Sequence, residues 1–98
     1  MIEVLYFEGC PNLEPTLSLA NEALSQLGLS ADVREVEVRT AEDAERQRFL
    51  GSPSVRVDGK DIEPGAESRT EYALSCRLYG DRGLPSKELL VAALEARR

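Results

Sequence analysis

The sequence predicts a single α/β domain over residues 1–98, with a four-stranded mixed sheet and helices on both of its faces. The length of 98 residues suits one hydrophobic core, and the hydrophobic fraction of 42% is typical of a globular protein. Segments with the two-residue period of strands alternate with segments of helical period, in the order β-α-β-α-β-β-α with an extra helix before the last. A βαβ unit followed by a hairpin produces both parallel and antiparallel strand pairs.

The first part of the chain predicts a strand–helix–strand unit. Residues 2–7 alternate and are rich in β-branched and aromatic side chains, which predicts a strand. Residues 13–27 repeat apolar side chains every three or four positions, which predicts an amphipathic helix that ends at Gly28. Residues 32–38 alternate valine with charged residues, which predicts a strand with one solvated face or an edge position.

The middle of the chain predicts a short helix and a hairpin. The Thr-x-x-Asp pattern at 40–43 resembles a capping box, and we expect a short helix that continues through Phe49. Asp58-Gly59 is typical of a tight hairpin turn. The flanking residues 54–57 and 60–63 therefore predict two antiparallel strands.

The last third of the chain predicts two helices. The Ser-x-x-Glu pattern at 68–71 is a fuller capping box, which predicts a helix that runs toward Tyr79 and ends at Gly80. We expect a loop over 81–85 and a final helix capped by Ser86. The first of these helices would place three side chains on one face: Tyr72, Cys76 and Tyr79.

Charge and composition exclude several functional classes. A formal net charge of −6 argues against nucleic acid as a partner, because binding phosphates requires a basic face. The absence of histidine removes imidazole metal ligands and a histidine base for nucleophilic attack. Glu3 and Glu8 occupy the region where a signal peptide is basic, and no apolar run approaches the roughly 20 residues of a membrane span. We therefore expect a cytoplasmic protein with no membrane partner, no metal and no cofactor.

Cys10 is the first candidate catalytic residue. It lies between the first predicted strand and helix, and a helix N-terminus offers unpaired N–H groups and a positive dipole end that favour a thiolate. Glu8 and Glu14 oppose that effect. The alternative interpretation is a small buried apolar residue, a common environment for cysteine.

Cys76 has two interpretations that the sequence leaves open. If the third strand is antiparallel to the first, the segment after Glu63 starts at the end of the sheet that carries Cys10. Cys76 would then resolve a disulfide formed by Cys10. Alternatively, it packs between Tyr72 and Tyr79, as expected for a lone cysteine on an aromatic helix face.

The element order, Cys10 after the first strand and Ser52-Pro53 before the third, resembles the thioredoxin and glutaredoxin superfamily over nearly the whole chain. The GCPN motif is similar to that of small bacterial thioredoxin-like proteins, some of which are named alkylmercury lyase-like. The resemblance implies a thioredoxin-like three-layer sandwich in which Pro53 is cis and faces Cys10. The Ser52 backbone would then be exposed to pair with an extended thiol-bearing peptide. Leu13 stands where the second cysteine of the usual motif would be.

Three functional hypotheses follow. The first is a thiol–disulfide redox role of Cys10, resolved by Cys76 or by a small thiol. The second is binding or cleavage of a thiophilic metal or organomercurial by the two thiolates. The third is a non-catalytic interaction module. Under the first, the expected partner is a disulfide- or thiol-bearing protein or a small thiol, and the substrate-binding residues are Pro11, Ser52 and Pro53.

Overall fold

A computed structural model describes residues 1–79 and 82–96. Within these residues the sheet has four strands in the order β2-β1-β3-β4. The strands are β1 (Ile2–Tyr6), β2 (Val33–Glu37), β3 (Ser54–Val57) and β4 (Lys60–Asp61). The helices are α1 (Leu13–Leu27), α2 (Ala41–Gln47) and α3 (Lys87–Glu95). No described helix has both the length and the apolar character needed to cross a bilayer.

The strand pairing confirms the predicted mixed sheet. β1 is parallel to β2 and antiparallel to β3, and β3 is antiparallel to β4. Leu5 near the end of β1 lies opposite Ser54 at the start of β3. The turn that follows β1 and the loop that precedes β3 therefore meet at one end of the sheet, where the sequence analysis placed the candidate site.

Helices cover both faces of the sheet, as predicted. Alternation along β1 directs Val4 to one face and Leu5 to the other. Val4 belongs to the larger core cluster, which includes Leu24 of α1 and Leu90 of α3. Leu5 packs in a second cluster with Val38, Ala44 and Phe49, so α2 lies on the opposite face.

The predicted helix ends are confirmed where a side chain or glycine caps them. Gly28 ends α1 in the left-handed conformation with a φ of 64°. The Thr40 side chain accepts a hydrogen bond from the Asp43 backbone N–H at the start of α2. Ser86 accepts one from the Leu89 N–H at 3.1 Å and begins α3. These local signals were sufficient because each bond joins residues only three positions apart.

The return strand of the hairpin is shorter than predicted. It ends at Asp61, whose Oδ1 accepts a hydrogen bond from the Glu63 backbone N–H at 2.9 Å. The Ile62 N–H still donates to the Val55 carbonyl of β3 at 3.1 Å, but this local turn ends the regular strand, since an aspartate side chain competes with sheet pairing.

The helix predicted from the capping box at 68–71 is wrong. A short 3₁₀ helix covers Ala66–Ser68, and the Ser68 hydroxyl donates to the Gly65 carbonyl at 2.9 Å. The following residues form no α-helix through Tyr79, so Tyr72, Cys76 and Tyr79 do not share a helix face. Residues 75–79 instead bind partners that are distant in the sequence, as described below, and these contacts outweigh the capping box. The predicted helix end at Gly80 and loop start at Asp81 lie outside the described residues.

We predict that Ser86→Ala lowers the free energy of unfolding by about 1 kcal/mol, because the Leu89 N–H loses its acceptor. Denaturant unfolding measures the change. Ser30→Ala is the control, since Ser30 is exposed outside the helices, and it should stay within about 0.5 kcal/mol. Equal losses in the two variants would contradict the capping role.

Candidate functional site

Cys10 lies in a tight turn between β1 and α1. Its N–H donates to the Phe7 carbonyl at 3.2 Å, and its carbonyl accepts from the Leu13 N–H at 3.4 Å. Gly9 supplies the positive φ of 88° that the turn requires. Cys10 is a free, half-buried thiol. It is therefore held by backbone hydrogen bonds on both sides and remains accessible.

The N-terminus of α1 has no side-chain cap. Asn12 occupies the cap position without bonding the first-turn amides, and its Nδ2 donates instead to the Gly83 carbonyl at 2.9 Å. Pro15 in the first turn contributes no N–H group, and neither does Pro11, which precedes the cap residue; both are exposed. Of the other amides in this turn, the Leu13 N–H donates to the Cys10 carbonyl and the Thr16 N–H to the Asn12 carbonyl. Among the described residues the Glu14 N–H has no such acceptor, and a helix N-terminus of this kind favours an anion.

A cavity of about 710 Å³ opens beside Cys10, between the ends of β1 and β2. Leu13, which stands where the second cysteine of the usual motif would be, lines this cavity together with Glu8. Arg39 and Glu37 also line it and form an ion pair at 3.3 Å. Two carboxylates and one guanidinium thus surround the opening, so its local charge is acidic.

Pro53 immediately precedes β3 and has a cis peptide bond to Ser52, as the resemblance implied. Both residues are buried. The Pro53 carbonyl accepts a hydrogen bond from the Tyr79 hydroxyl at 2.7 Å. The Pro53 loop is therefore fastened by a segment that follows it in the chain by more than twenty residues.

The expectation that the Ser52 backbone is free to pair with a partner is wrong in this structure. Its N–H donates to the Ser75 carbonyl at 2.7 Å, and its carbonyl accepts from the Arg77 N–H at 2.9 Å. These bonds form a parallel bridge between Ser52 and Cys76. Gly51, with a φ of 124°, allows the approach, since a side chain there would meet Arg77 at 3.1 Å. The chain's own segment occupies the position predicted for a partner peptide.

Cys76 is a free, exposed thiol at the center of this bridge. It lies at the same end of the sheet as the Cys10 turn, because its bridge partner Ser52 is two residues before β3. It lines a different cavity, of about 430 Å³, with Leu50, Glu63 and Tyr79 among its neighbours. The two cavities share no lining residue. A role of Cys76 as the resolving thiol stays a prediction.

Arg77 is the residue that the sequence analysis missed, and it fixes the segment. Its side chain is 1% exposed and forms ion pairs with Asp61 at 2.8 Å and Glu63 at 2.6 Å. It also donates to the Ser54 hydroxyl at 3.0 Å. Burial opposes the charge of Arg77, but the hydrogen bonds and charges of the two carboxylates outweigh it and raise its pKa. The sequence signal for this role was the pair of carboxylates at 61 and 63. Two acidic side chains so close together on a hairpin predict a cationic partner elsewhere in the chain.

Tyr79 completes the network around Arg77. The Arg77 guanidinium lies 4.7 Å from the centre of the Tyr79 ring. Burial raises the pKa of the Tyr79 hydroxyl; Arg77 partly offsets that effect, while Asp61 and Glu63 add to it. Folding therefore favours the protonated hydroxyl that donates to Pro53.

Comparisons with protein-family models, curated proteins and solved structures found no match. The family resemblance consequently rests on the element order and on the Cys10 and Pro53 motifs alone. Within residues 1–79 and 82–96, no three His, Cys, Asp or Glu side chains are grouped to hold a metal ion.

We predict that Arg77→Ala lowers the free energy of unfolding by about 3–5 kcal/mol, because it leaves Asp61 and Glu63 without their buried partner. Arg34→Ala is the matched control: Arg34 is exposed on β2, and its removal should change stability by less than about 0.5 kcal/mol. Chemical denaturation measures both variants. A loss below about 1 kcal/mol for Arg77→Ala would refute the structural role of this ion-pair network.

We predict that stability falls at alkaline pH partly because of Tyr79. The protonated Tyr79 hydroxyl contributes its full share to the free energy of unfolding below about pH 10, where tyrosine in the unfolded chain is also protonated. This contribution is lost as the pH rises toward the raised pKa of Tyr79 in the folded protein. Stability measured from about pH 9 to 12 should therefore decline less steeply in Tyr79→Phe. Tyr72→Phe is the control and should keep the wild-type decline; identical slopes in all three proteins would contradict the assignment.

Proposed function

We propose that this chain is a thioredoxin-like thiol protein in which Cys10 performs thiol–disulfide exchange. The observation that carries the proposal is the position of Cys10: a half-buried, free thiol beside an uncapped helix N-terminus, at the mouth of a cavity. The cis Ser52–Pro53 bond at the start of the adjacent strand also supports the thioredoxin-like assignment.

The helix N-terminus supplies the chemical activation. A thiolate is the nucleophile in disulfide exchange, and the positive end of the helix dipole stabilises it. The dipole contributes about 0.3–1 kcal/mol, and up to about 2 kcal/mol when partly buried, which shifts the equilibrium between thiol and thiolate by about twofold to roughly thirtyfold. The backbone bonds from Phe7 and Leu13 hold Cys10 in this position.

The proposed reaction has two exchange steps. The Cys10 thiolate attacks one sulfur of a small disulfide, a Cys10–sulfur bond forms, and the other sulfur leaves as a thiolate with the electron pair. A second small thiolate then attacks the substrate-derived sulfur, releases the Cys10 thiolate and forms a new disulfide. Because Cys10 and Cys76 line separate cavities, we assign the second step to an external thiol.

The surroundings also favour a class of substrate. An extended peptide has no free Ser52 backbone to pair with, so a small disulfide that enters the cavity beside β2 fits better. Glu8 and Glu37 disfavour anionic disulfides by like-charge repulsion. Neutral or cationic disulfides are therefore the proposed substrates.

The test compares the two thiols with cystamine, a cationic disulfide. We expect Cys76→Ser, which retains Cys10, to form the mixed disulfide about tenfold faster at neutral pH than Cys10→Ser, which retains Cys76. Intact-protein mass spectrometry of quenched samples gives the rates. Exposure alone predicts the opposite order, since Cys76 is the more exposed thiol.

Denaturation provides the control for this comparison. In strong denaturant the two variants should react at similar rates, because the helix N-terminus no longer exists. If folded Cys10→Ser reacts as fast as folded Cys76→Ser, Cys10 has no special reactivity, and the non-catalytic interaction module becomes the better description.

A further inference from the structure

A third cleft lies on the outer side of the β3–β4 hairpin and shares Leu50 and Arg69 with the cavity beside Cys76. It has a volume of about 240 Å³, and neither Cys10 nor Cys76 lines it. Leu50, Ala66 and Tyr72 contribute apolar surface to its lining. Such a combination of a small concave volume, apolar walls and a few polar groups is typical of sites for small ligands.

Positive charge is concentrated in this cleft, although the whole chain has a formal net charge of −6. Four cationic side chains line it: Arg48, Arg56, Lys60 and Arg69. They are a third of the 12 Lys and Arg residues in the sequence. An acidic protein repels anions over most of its surface, so a local cationic cleft of this kind selects where an anion can bind.

Three of the four cations are not neutralised by carboxylates. Arg48, Arg56 and Lys60 form no ion pair with any carboxylate of residues 1–79 and 82–96. Arg69, in contrast, is paired with Glu63 at 3.3 Å and with Glu71 at 2.7 Å. Arg48, Arg56 and Lys60 therefore have charge available for a ligand.

The two carboxylates that line the cleft do not cancel this charge. Both Asp61 oxygens accept hydrogen bonds from the buried Arg77, which neutralises that carboxylate from behind. Glu67 is exposed and forms no ion pair within the described part of the chain. The balance of Arg48, Arg56 and Lys60 against Glu67 leaves the cleft positive.

The central cation is held in place before any ligand binds. Arg56 donates through Nη2 to the carbonyls of Gln47 and Arg48 at the C-terminal end of α2. These bonds fix the guanidinium and leave its other N–H groups without a carboxylate. A preorganised guanidinium loses less conformational entropy on binding, and its planar donors match phosphate and carboxylate oxygens.

We propose that this cleft binds a small anion that carries phosphate or clustered carboxylate groups. The anionic group contacts Arg48, Arg56 and Lys60, and an apolar portion of the ligand lies against Leu50 and Tyr72. The volume corresponds to roughly eight water molecules, which suits a small molecule. The site is independent of the thiol chemistry proposed for Cys10.

The experiment titrates ¹⁵N-labelled full-length protein with inorganic pyrophosphate and follows backbone amide shifts by NMR. We expect saturable shifts that are largest at residues 48, 56, 60 and 72. A parallel titration with sodium chloride at matched ionic strength should produce only small, unsaturated shifts there. Shifts spread evenly over the cationic surface, or equal responses to the two salts, would overturn the proposal.

Paired double variants test the residues. Arg48→Gln with Lys60→Gln should weaken pyrophosphate binding at least tenfold. Arg34→Gln with Lys87→Gln changes the net charge by the same amount outside the cleft and should alter the affinity less than twofold. If pyrophosphate binding weakened equally in the two double variants, the overall charge of the protein would explain the effect. That result would refute a specific site. Cys10→Ser should bind pyrophosphate like the wild type, which separates this test from that of the thiol function.

Discussion

The buried ion pairs of Arg77 with Asp61 and Glu63 determine how the last third of the chain is arranged. A guanidinium this deeply buried requires carboxylate partners, and both carboxylates come from the hairpin and the residues just after it. The segment from Ser75 to Tyr79 is consequently drawn against the start of β3 and cannot close into a helix. From that placement follow the bridge to Ser52, the hydrogen bond of Tyr79 to Pro53 and the exposure of Cys76. A single charged side chain thus links the hairpin, the cis-proline loop and the second thiol.

The candidate thiol site, in contrast, does not depend on partners that are distant in the sequence. Local backbone geometry is sufficient to form it. Gly9 provides the turn, and Cys10 is bonded through its own N–H and carbonyl. Asn12 uses its side chain to hold the loop at Gly83 and leaves the first helical amides uncapped. The turn fixes the Cys10 backbone relative to the helix, and under the proposed function the acidic cavity wall would disfavour anionic substrates.

Sequence reasoning succeeded where structure is decided within a few residues and failed where distant partners decide it. The helices ending at Gly28 and beginning at Thr40 and Ser86 follow from periodicity and caps that act over one turn. The mixed sheet follows from the order of its elements. The capping box at 68–71 did not produce a helix, because Arg77 binds Asp61 and Glu63, which precede it by sixteen and fourteen positions. A local sequence pattern cannot show a contact over that distance. The occupied backbone of Ser52 was unpredictable for the same reason, whereas the position of Cys10 between β1 and α1 was predictable because a strand–helix turn is a local feature.

The bridge between Ser52 and Cys76 also bears on how copies of the chain behave toward one another. A sheet border with unpaired amides is a template on which a second molecule can add a strand, and proteins protect such borders with short strands, charges or their own backbone. Here β4 is only two residues long, and the Ser75–Arg77 backbone continues the coverage of β3 beyond it. At the far border, Arg34 and Glu35 place exposed opposite charges along β2. The same contact that denies a peptide access to Ser52 thereby removes a starting point for intermolecular β-aggregation.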